Sequence, residues 1–589
     1  MDAKERSIQE VFCADRVLRI PFFQRSYTWK EENWERFDSD MMNLIGRNVE
    51  HKYFLGSLIL KDDRITEEER DNYISSKYTV IDGQQRLTTL SIYLKALVNR
   101  IGDSSAKNRF ASLFLYNENS VPKLSHNIND RDAYRDIMLD GINTHTIYKS
   151  DKVVSAYNYF IDKFRARHVS ELIELLKSIY SNITFVVISL NDNDDEQQIF
   201  DTINSLGVRL TIDELMKNFL YDSANETEYN QNWKPIFDSD TGMKFWKQND
   251  AATGQAATDK NTVIYNFFYD FVRIKMWDYN LTPRDREQFV RRDGVLETCK
   301  AFVERYGTDK LSLANEIIEY AKLYSKYFNR ENLYDSVSSY PSISRIACIS
   351  MEYSNAMRPY LLYILKTVDD EAQRNDIFKF LEIYHVRRAI CKSDTKTSDW
   401  WTDQLIRQRI NTADGLIQHV MSWSPEINNH MPSNAEVCEA IASNDLSKSA
   451  KLIMYLYETK VAKHDVGYNY FLEKQIIPTP GVKNRTTYPP HTDEEREKQR
   501  KRALKTLGNY LLLNLGIEAN TPDEIVDEQK VVGKNDNKVF AQKKSSVKLY
   551  VENVQCMQWF ENTNAWSEND ISKRNENLAK FITEKLWTI

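Results

Sequence analysis

Between Tyr78 and Leu90 the chain reads Tyr-Thr-Val-Ile-Asp-Gly-Gln-Gln-Arg-Leu-Thr-Thr-Leu, an order that leaves little freedom of fold. Tyr78 to Ile81 is a β-prone run, and Asp82-Gly83 is a strong turn pair. Apolar residues then recur at Leu87, Leu90, Leu94, Leu97 and Val98, the spacing of one helix face. The passage predicts a strand turning directly into an amphipathic helix. Gln84, Gln85 and Arg86 fall at the helix start, where open backbone N–H groups and the helix dipole favour an anion such as a phosphate. The same residues also suit a plain capped turn in which Arg86 makes a structural ion pair.

A chain of 589 residues exceeds one ordinary core and predicts roughly three or four domains. Its 41% hydrophobic and 28% charged residues are those of a soluble globular protein, and the scarcity of Gly (16) and Pro (13) argues for much helix and few long linkers. The six cysteines, at 13, 299, 348, 391, 438 and 556, form no Cys-x-x-Cys. That spacing speaks against a disulfide framework or a cysteine zinc site, and for a reducing, cytoplasmic compartment. Residues 1–20 carry charges throughout, unlike a secretory signal, and no run approaches a membrane span. A net charge of −7 gives no global attraction to nucleic acid, although a local basic groove can bind DNA on an acidic protein.

Residues 1–220 read as α/β, with strand candidates at Phe54–Leu60, Tyr78–Ile81 and Ile183–Leu190. Near the start stands Ile20-Pro-Phe-Phe-Gln-Arg-Ser-Tyr-Thr-Trp29. Pro21 favours an extended backbone there, and Phe22 and Phe23 can anchor it, leaving Gln24 and Arg25 for a ligand; a surface loop pinned by aromatics fits equally. Asn191-Asp-Asn-Asp-Asp-Glu196 fails as a calcium loop, because Glu196 stands where Gly is needed and Thr202 where Glu is needed. Gly207 suits a helix terminus, and Thr211 with Glu214 forms a capping box for a helix over Ile212–Leu220. Residues 221–460 are mostly helical by periodicity, with a loop expected within Phe245–Thr262 and Arg387 and Arg388 in the run Asp376–Lys392. From about 461 the character changes. Pro478, Pro480, Gly481, Pro489 and Pro490 mark a long loop, followed by a basic helix with Arg496, Lys498, Arg500, Lys501, Arg502 and Lys505. Such a run is either a solvated face or a phosphate-binding one.

Several of these motifs occur together in order. Ile20-Pro-x-Phe-Gln-Arg-x-Tyr-x-Trp29, Tyr53-Phe-Leu-Gly-Ser-Leu-Ile-Leu60, Val80-Ile-Asp-Gly-Gln-Gln-Arg-Leu-Thr-Thr89, Phe200-x-x-x-Asn-Ser-x-Gly-x-x-Leu-Thr211 with Glu214-Leu215-x-Lys217, Tyr384-x-Val-Arg-Arg-Ala-Ile390, Leu507-Gly-Asn-x-Leu-Leu-Leu513, Phe540-x-x-Lys543, Trp566 and Arg574 all stand in the chain. In this it resembles the GmrSD-type modification-dependent restriction enzymes, which join a ParB/sulfiredoxin-like nucleotide-binding domain to an HNH-type nuclease domain. The resemblance implies an α/β plus mainly α protein: a nucleotide domain over 1–225, a helical connecting domain over 226–460 and an HNH-like domain over 461–589. It implies an NTP held by Asp82, Gly83, Gln84, Gln85 and Arg86, with Gln24 and Arg25 beside them and Asn204 and Lys217 in the same site. Gln84, Gln85 and Arg86 would carry NTP hydrolysis by positioning and charge stabilisation, with Mg2+ or Mn2+ as the accompanying ion. No Walker sequence is present.

The C-terminal part departs from the family pattern. Where active members carry His-Ile-x-Pro, this chain reads Gln475-Ile-Ile-Pro478; where a second His commonly precedes Leu-Gly-Asn, it reads Lys505-Thr-Leu-Gly-Asn509. HNH chemistry needs an imidazole to take a proton from the attacking water, and an amide does not titrate. Asn509 then marks a vestigial nuclease position, and His464 and His491 are the remaining substitutes. DNA contact is expected at Arg500, Arg502, Lys505 and Lys543, weakening steeply with salt. The resemblance implies an anti-phage restriction factor acting on DNA, including modified phage DNA. The alternative is a nuclease-inactive, nucleotide-gated DNA-binding partner of a separate nuclease, itself open to homo-oligomerisation.

Overall fold

The computed structural model describes residues 2–13, 16–22, 24–46, 52–63, 65, 67, 75–116, 121–127, 129–139, 151–190, 211–221, 225–250, 261–289, 291–337, 340–393, 398–424, 429–478, 494–516 and 536–589. The chain divides into two compact units, Met1–Gln231 and Asn232–Ile589.

The first unit is built on a six-stranded mixed sheet. Its strands are β1 (Asp2–Ser7), β2 (Arg16–Arg19), β3 (Tyr53–Asp63), β4 (Ser76–Asp82), β5 (Leu124–Ser125) and β6 (Ile183–Leu190), in the order β1-β6-β3-β4-β2-β5. The three strands read from the sequence are present, each at or near its expected bounds. The central strand β3 runs parallel to β6 and antiparallel to β4. Side chains alternate across the sheet: Leu58, Leu60 and Val80 enter the main core, while Ile59 and Ile81 meet Leu190 on the opposite side. The β3 register is broken twice, between Phe54 and Ser57 against β6 and between Ile59 and Leu60 against β4, where Asp82 stands opposite Ile59. Irregularities of this kind re-aim side chains near the end of a strand.

Directly after β4 comes helix α2 (Gln84–Ile101), preceded in the chain by α1 (Glu31–Met42). Here the amphipathic expectation is corrected. Leu87, Leu90, Ile92, Tyr93, Leu94 and Leu97 are all fully buried, so are the intervening Thr88, Thr89 and Ser91, and Lys95 is buried as well. The helix is buried all round because α3 (Ser104–Phe114), α4 (Lys152–Arg165) and α5 (Val169–Asn182) also pack against it. Its polar residues are tolerated because they bond back to the helix: Thr88 and Thr89 each donate their hydroxyl to a carbonyl one turn earlier, at 2.7 Å. Six large apolar side chains, at about 1.5–3 kcal/mol each, make α2 the rigid post on which the preceding turn is mounted. Helix α6 (Ile212–Leu220) begins as expected, with Thr211 N–H donating to the Glu214 carboxylate at 2.9 Å.

The second unit is mainly helical. It contains α7 (Val263–Lys275), α8 (Glu371–Cys391), α9 (Asn434–Ser443), α10 (Ala450–Val461), α11 (Glu494–Ala503), α12 (Asp536–Val551) and α13 (Glu568–Phe581). A two-stranded antiparallel sheet joins β7 (Phe471–Gln475) to β8 (Tyr510–Asn514), with Gln475 opposite Tyr510. Arg387 and Arg388 are buried on α8. Arg387 donates to Pro432 O, to Trp587 O and to Asn434 Oδ1, so it ties the C-terminal segment into this unit. The helix Asp240–Trp246 stops just before the interruption expected at Gln248–Gln255, and Asn249 forms a β-bridge with Thr262; residues 251–255 of that interruption lie outside the described residues. Among the described residues no helix is long and apolar enough to cross a membrane.

Candidate functional site

Two glycines make the turn after β4 possible. Gly83 caps α2 at φ +98°, a conformation L residues rarely adopt. A Cβ there would overlap Leu58 and lie 3.3 Å from Ser57 O. Gly56, at the first break in β3, has φ +127°, and a Cβ on it would overlap Arg86 Nη1 and lie 3.0 Å from Arg86 Cζ. The missing side chains open a slot in which the Arg86 guanidinium lies against the β3 backbone. From there Arg86 Nη2 reaches the Asp82 carboxylate at 2.9 Å, with both side chains about a quarter exposed. The ion pair allowed by the sequence is therefore present. Gly56 stood inside a quoted motif, but its role as the floor under Arg86 required the fold.

The opposite wall is the segment around Gln24 and Arg25, and polar side chains hold it. Asn127 Nδ2 donates to Gln24 O at 3.3 Å and Arg25 O at 2.9 Å. Asp130 accepts the Tyr27 N–H at 2.6 Å. Gln85 Oε1 accepts the Thr28 N–H at 2.8 Å, and its Nε2 donates to Ser26 O at 3.3 Å. Gln85 is thus a clamp that fixes the loop to the start of α2. Tyr27 adds a hydroxyl contact with Thr89 at 2.7 Å and accepts the Trp34 indole N–H at 2.9 Å. Beneath the clamp, Thr88 gives its own proton to Gln84 O, so its oxygen accepts from His126 Nε2 at 2.9 Å. His126 Nδ1 is then left as a buried acceptor, 3.8 Å from Asp130. Burial holds the His126 imidazole down to about 3, hence neutral, and pushes the Asp130 carboxyl up to about 7.

Between the two walls is a cavity of about 220 Å³. Gln24, Arg25, Asp82, Gly83, Gln84, Gln85 and Arg86 line it, and Trp29, Ile81 and Asn218 complete the lining. The seven contiguous-motif residues named from the sequence therefore converge on one space. Each contributes differently. Gln24 Nε2 donates to Val80 O at 2.9 Å and Ile81 O at 3.3 Å, which fixes its amide orientation; its Oε1 is buried without a partner. Gln84 makes only a long contact, 3.4 Å from Nε2 to Arg25 O. The half-buried Arg25 guanidinium makes no hydrogen bond or ion pair with another described residue. Its charge is felt by Glu214, whose carboxyl burial and the neighbouring Asp213 push up.

Asn204 lies outside the described residues. Lys217 is buried on α6 with its ammonium 5.8 Å from the Tyr229 ring centroid. It is Asn218 that lines the cavity; one residue along a helix turns a side chain by about 100°. Among the described residues no group of three or more His, Cys, Asp or Glu is arranged to hold a metal ion. Among the described lining residues Asp82 supplies the one carboxylate.

In the second unit, Asn509 is buried and its side chain makes three hydrogen bonds to backbone. Nδ2 donates to Ile477 O and Leu504 O, both at 2.8 Å, and Oδ1 accepts the Ile477 N–H at 3.1 Å. Gln475 Nε2 donates to the same Leu504 carbonyl and to Tyr510 Oη, both at 3.0 Å. Arg574 donates to Gly508 O and Tyr510 O, at 2.8 and 2.7 Å, and stacks over Trp559 at 4.1 Å. These signature residues knit β7, β8 and α13 together. His464 pairs with the buried Glu458 at 2.6 Å; His491 lies outside the described residues. Of the expected DNA contacts, Arg500 pairs with Glu568 at 2.5 Å and Lys505 with Asp445 at 2.9 Å. Arg502 is exposed, and Lys543 is half-buried on α12.

Residues 8–221 match the family model of the GmrSD restriction endonuclease, N-terminal domain. The match covers about a third of the chain and identifies a GmrSD-type N-terminal domain in that part. Its bounds fall within the first structural unit and enclose every described residue of the cavity lining. No curated protein matches the chain.

Proposed function

We propose that the first unit is a ParB/sulfiredoxin-like domain that binds and hydrolyses a nucleoside triphosphate, and that nucleotide occupancy governs action on DNA by a GmrSD-type defence protein. The observation that carries this is the cavity itself: an arginine with no ion pair among the described residues, a second arginine set in a glycine slot and the uncapped start of a helix all border one small space. Arg25 would hold phosphate oxygens bidentately. Arg86, already balanced by Asp82, would act by position and shape more than by net charge. A polyanion therefore meets little uncompensated positive charge here, and Mg2+ bound with the phosphates would supply the rest. Gln84 would orient a phosphate oxygen or the attacking water.

The test is NTP binding and hydrolysis across the four ribonucleotides with Arg25→Ala and Gln84→Ala. Arg25→Ala should lower turnover by about 100-fold or more, the usual cost of losing a charge-stabilising donor. Unchanged turnover in both variants would refute the assignment.

For the second unit we favour an HNH-like domain that grips DNA or a partner nuclease without cutting. The observation behind this is that Gln475 and Asn509 are both engaged in backbone hydrogen bonds, and neither is a base. Exposed Arg502, with Lys543, would contact phosphates, making binding salt-sensitive. Metal-dependent cleavage of modified or unmodified DNA by the purified protein would overturn this reading and restore a full restriction nuclease.

A further inference from the structure

The cavity is too small for a whole nucleotide. Its roughly 220 Å³ falls below the about 300 Å³ at which pockets begin to enclose entire small ligands, yet its charged groups are those of a phosphate site. A nucleotide whose phosphates enter must leave its base at the rim. Trp29 is the one aromatic ring among the described lining residues. It is half-buried, packed against the main core and held edge-on by Phe37 at 6.2 Å between centroids. Its backbone neighbour Thr28 is pinned by Gln85. A large ring fixed in this way loses little freedom on binding, and part of its surface remains open.

We infer that Trp29 is the platform on which the nucleobase stacks, and that the site in consequence takes ribonucleoside triphosphates with little regard to base. Stacking does not read a hydrogen-bond pattern, because every base has a π-face. The polar lining residues around Gln84, Arg25 and Arg86 lie with the phosphate end. This inference rests on the nucleotide reading above.

Binding of ATP, GTP, CTP, UTP and inorganic tripolyphosphate to the full chain tests it, using wild type, Trp29→Phe and Trp29→Leu in the presence of Mg2+. The four nucleotides should bind wild type within about tenfold of one another. Trp29→Leu should weaken each by about 5- to 100-fold, the range for losing one base–aromatic stack. Trp29→Phe should retain most of the affinity. Tripolyphosphate should bind all three proteins alike, which also shows that the pocket is folded in the variants. Unchanged nucleotide affinity in Trp29→Leu, an equal loss for tripolyphosphate, or a strong preference for one base would overturn the inference while leaving the phosphate site standing. If wild type bound neither nucleotide nor tripolyphosphate, the nucleotide reading itself would fall with it.

Discussion

Replacing Gly56 by Ala should break the site through Arg86, and the structure lets the effect be divided into two parts. A Cβ at position 56 overlaps Arg86 Nη1 and stands 3.0 Å from Cζ and 3.2 Å from Cδ. Ordinary carbon contacts begin near 3.5 Å, so the guanidinium must retreat by roughly 1 Å. Its bond to Asp82, 2.9 Å long, does not survive such a move. A charge-assisted hydrogen bond between groups only a quarter exposed is worth about 1–2 kcal/mol. Holding a non-glycine residue at φ +127° adds about 1–3 kcal/mol of its own. The first part depends on Arg86 and the second does not. Gly56→Ala should therefore cost about 2–5 kcal/mol in wild type but about 1–2 kcal/mol less in an Arg86→Ala background. Hydrogen exchange of peptides spanning 53–63 and 76–90 reads the local opening energy without requiring the whole chain to unfold in one step. Equal costs in the two backgrounds, within about 0.5 kcal/mol, would show that Gly56 is not there to admit Arg86.

The two adjacent glutamines should separate in the same assay. Gln85→Ala strands the Thr28 N–H and Ser26 O and should loosen residues 24–30 by about 1–3 kcal/mol, whereas Gln84→Ala should leave exchange unchanged and lower nucleotide turnover. The pH dependence of the first unit should be flat between about pH 4 and 6.5 as far as His126 and Asp130 are concerned. With its carboxyl raised to about 7, Asp130 keeps a proton that the unfolded chain releases, so stability falls as pH rises through this window. With its imidazole lowered to about 3, His126 stays neutral while the unfolded chain takes up a proton, so stability rises. Asp130→Asn removes the first effect alone, and urea midpoints of the variant should climb with pH by about 1.4 kcal/mol per unit; a flat profile would refute the buried-pair description. Asn509→Ala should destabilise the second unit by about 2–4 kcal/mol through three lost bonds to buried backbone, measured by thermal unfolding, so loss of any activity in that variant reports on folding first.

The sheet was legible where strands are apolar and central. Phe54–Leu60, Tyr78–Ile81 and Ile183–Leu190 announce β3, β4 and β6, because buried strands carry β-branched and aromatic residues on both faces. The edge strand β1 did not announce itself: Asp2–Ser7 reads Asp-Ala-Lys-Glu-Arg-Ser, and charges of this kind are how an exposed edge avoids further pairing. The burial of α2 was illegible for a different reason. Its hydroxyls and Lys95 look like a solvent face until the helix carbonyls that accept the hydroxyls, and the helices that cover that face, are known. The site divides in the same way. The contiguous Asp82-Gly-Gln-Gln-Arg86 was readable as one cluster. Assigning Gln85 to the loop and Gln84 to the cavity depended on Thr28 and Ser26, which are more than fifty residues away.

The basic run before Leu507 shows how sequence overstates charge. Read as a string, residues 496–505 are either a solvated face or a phosphate-binding stripe. In the fold, Glu568 lies 68 residues from Arg500 and Asp445 lies 60 residues from Lys505, and both are within ion-pair distance. Arg500 is mostly buried against its partner, with about 12% of its side chain exposed, so turning it toward DNA means exchanging one formed pair for another. The slope of binding against salt should then reflect fewer phosphate contacts than the count of basic residues suggests, at about 0.9 per contact made. A filter-binding series that gives a slope near 1–2, lost in Arg502→Ala and little changed in Arg500→Ala, would support exposed Arg502 as the principal contact. A slope of 4 or more, falling with each of Arg500, Arg502, Lys505 and Lys543, would mean that the ion pairs open on binding and that the whole stripe is used.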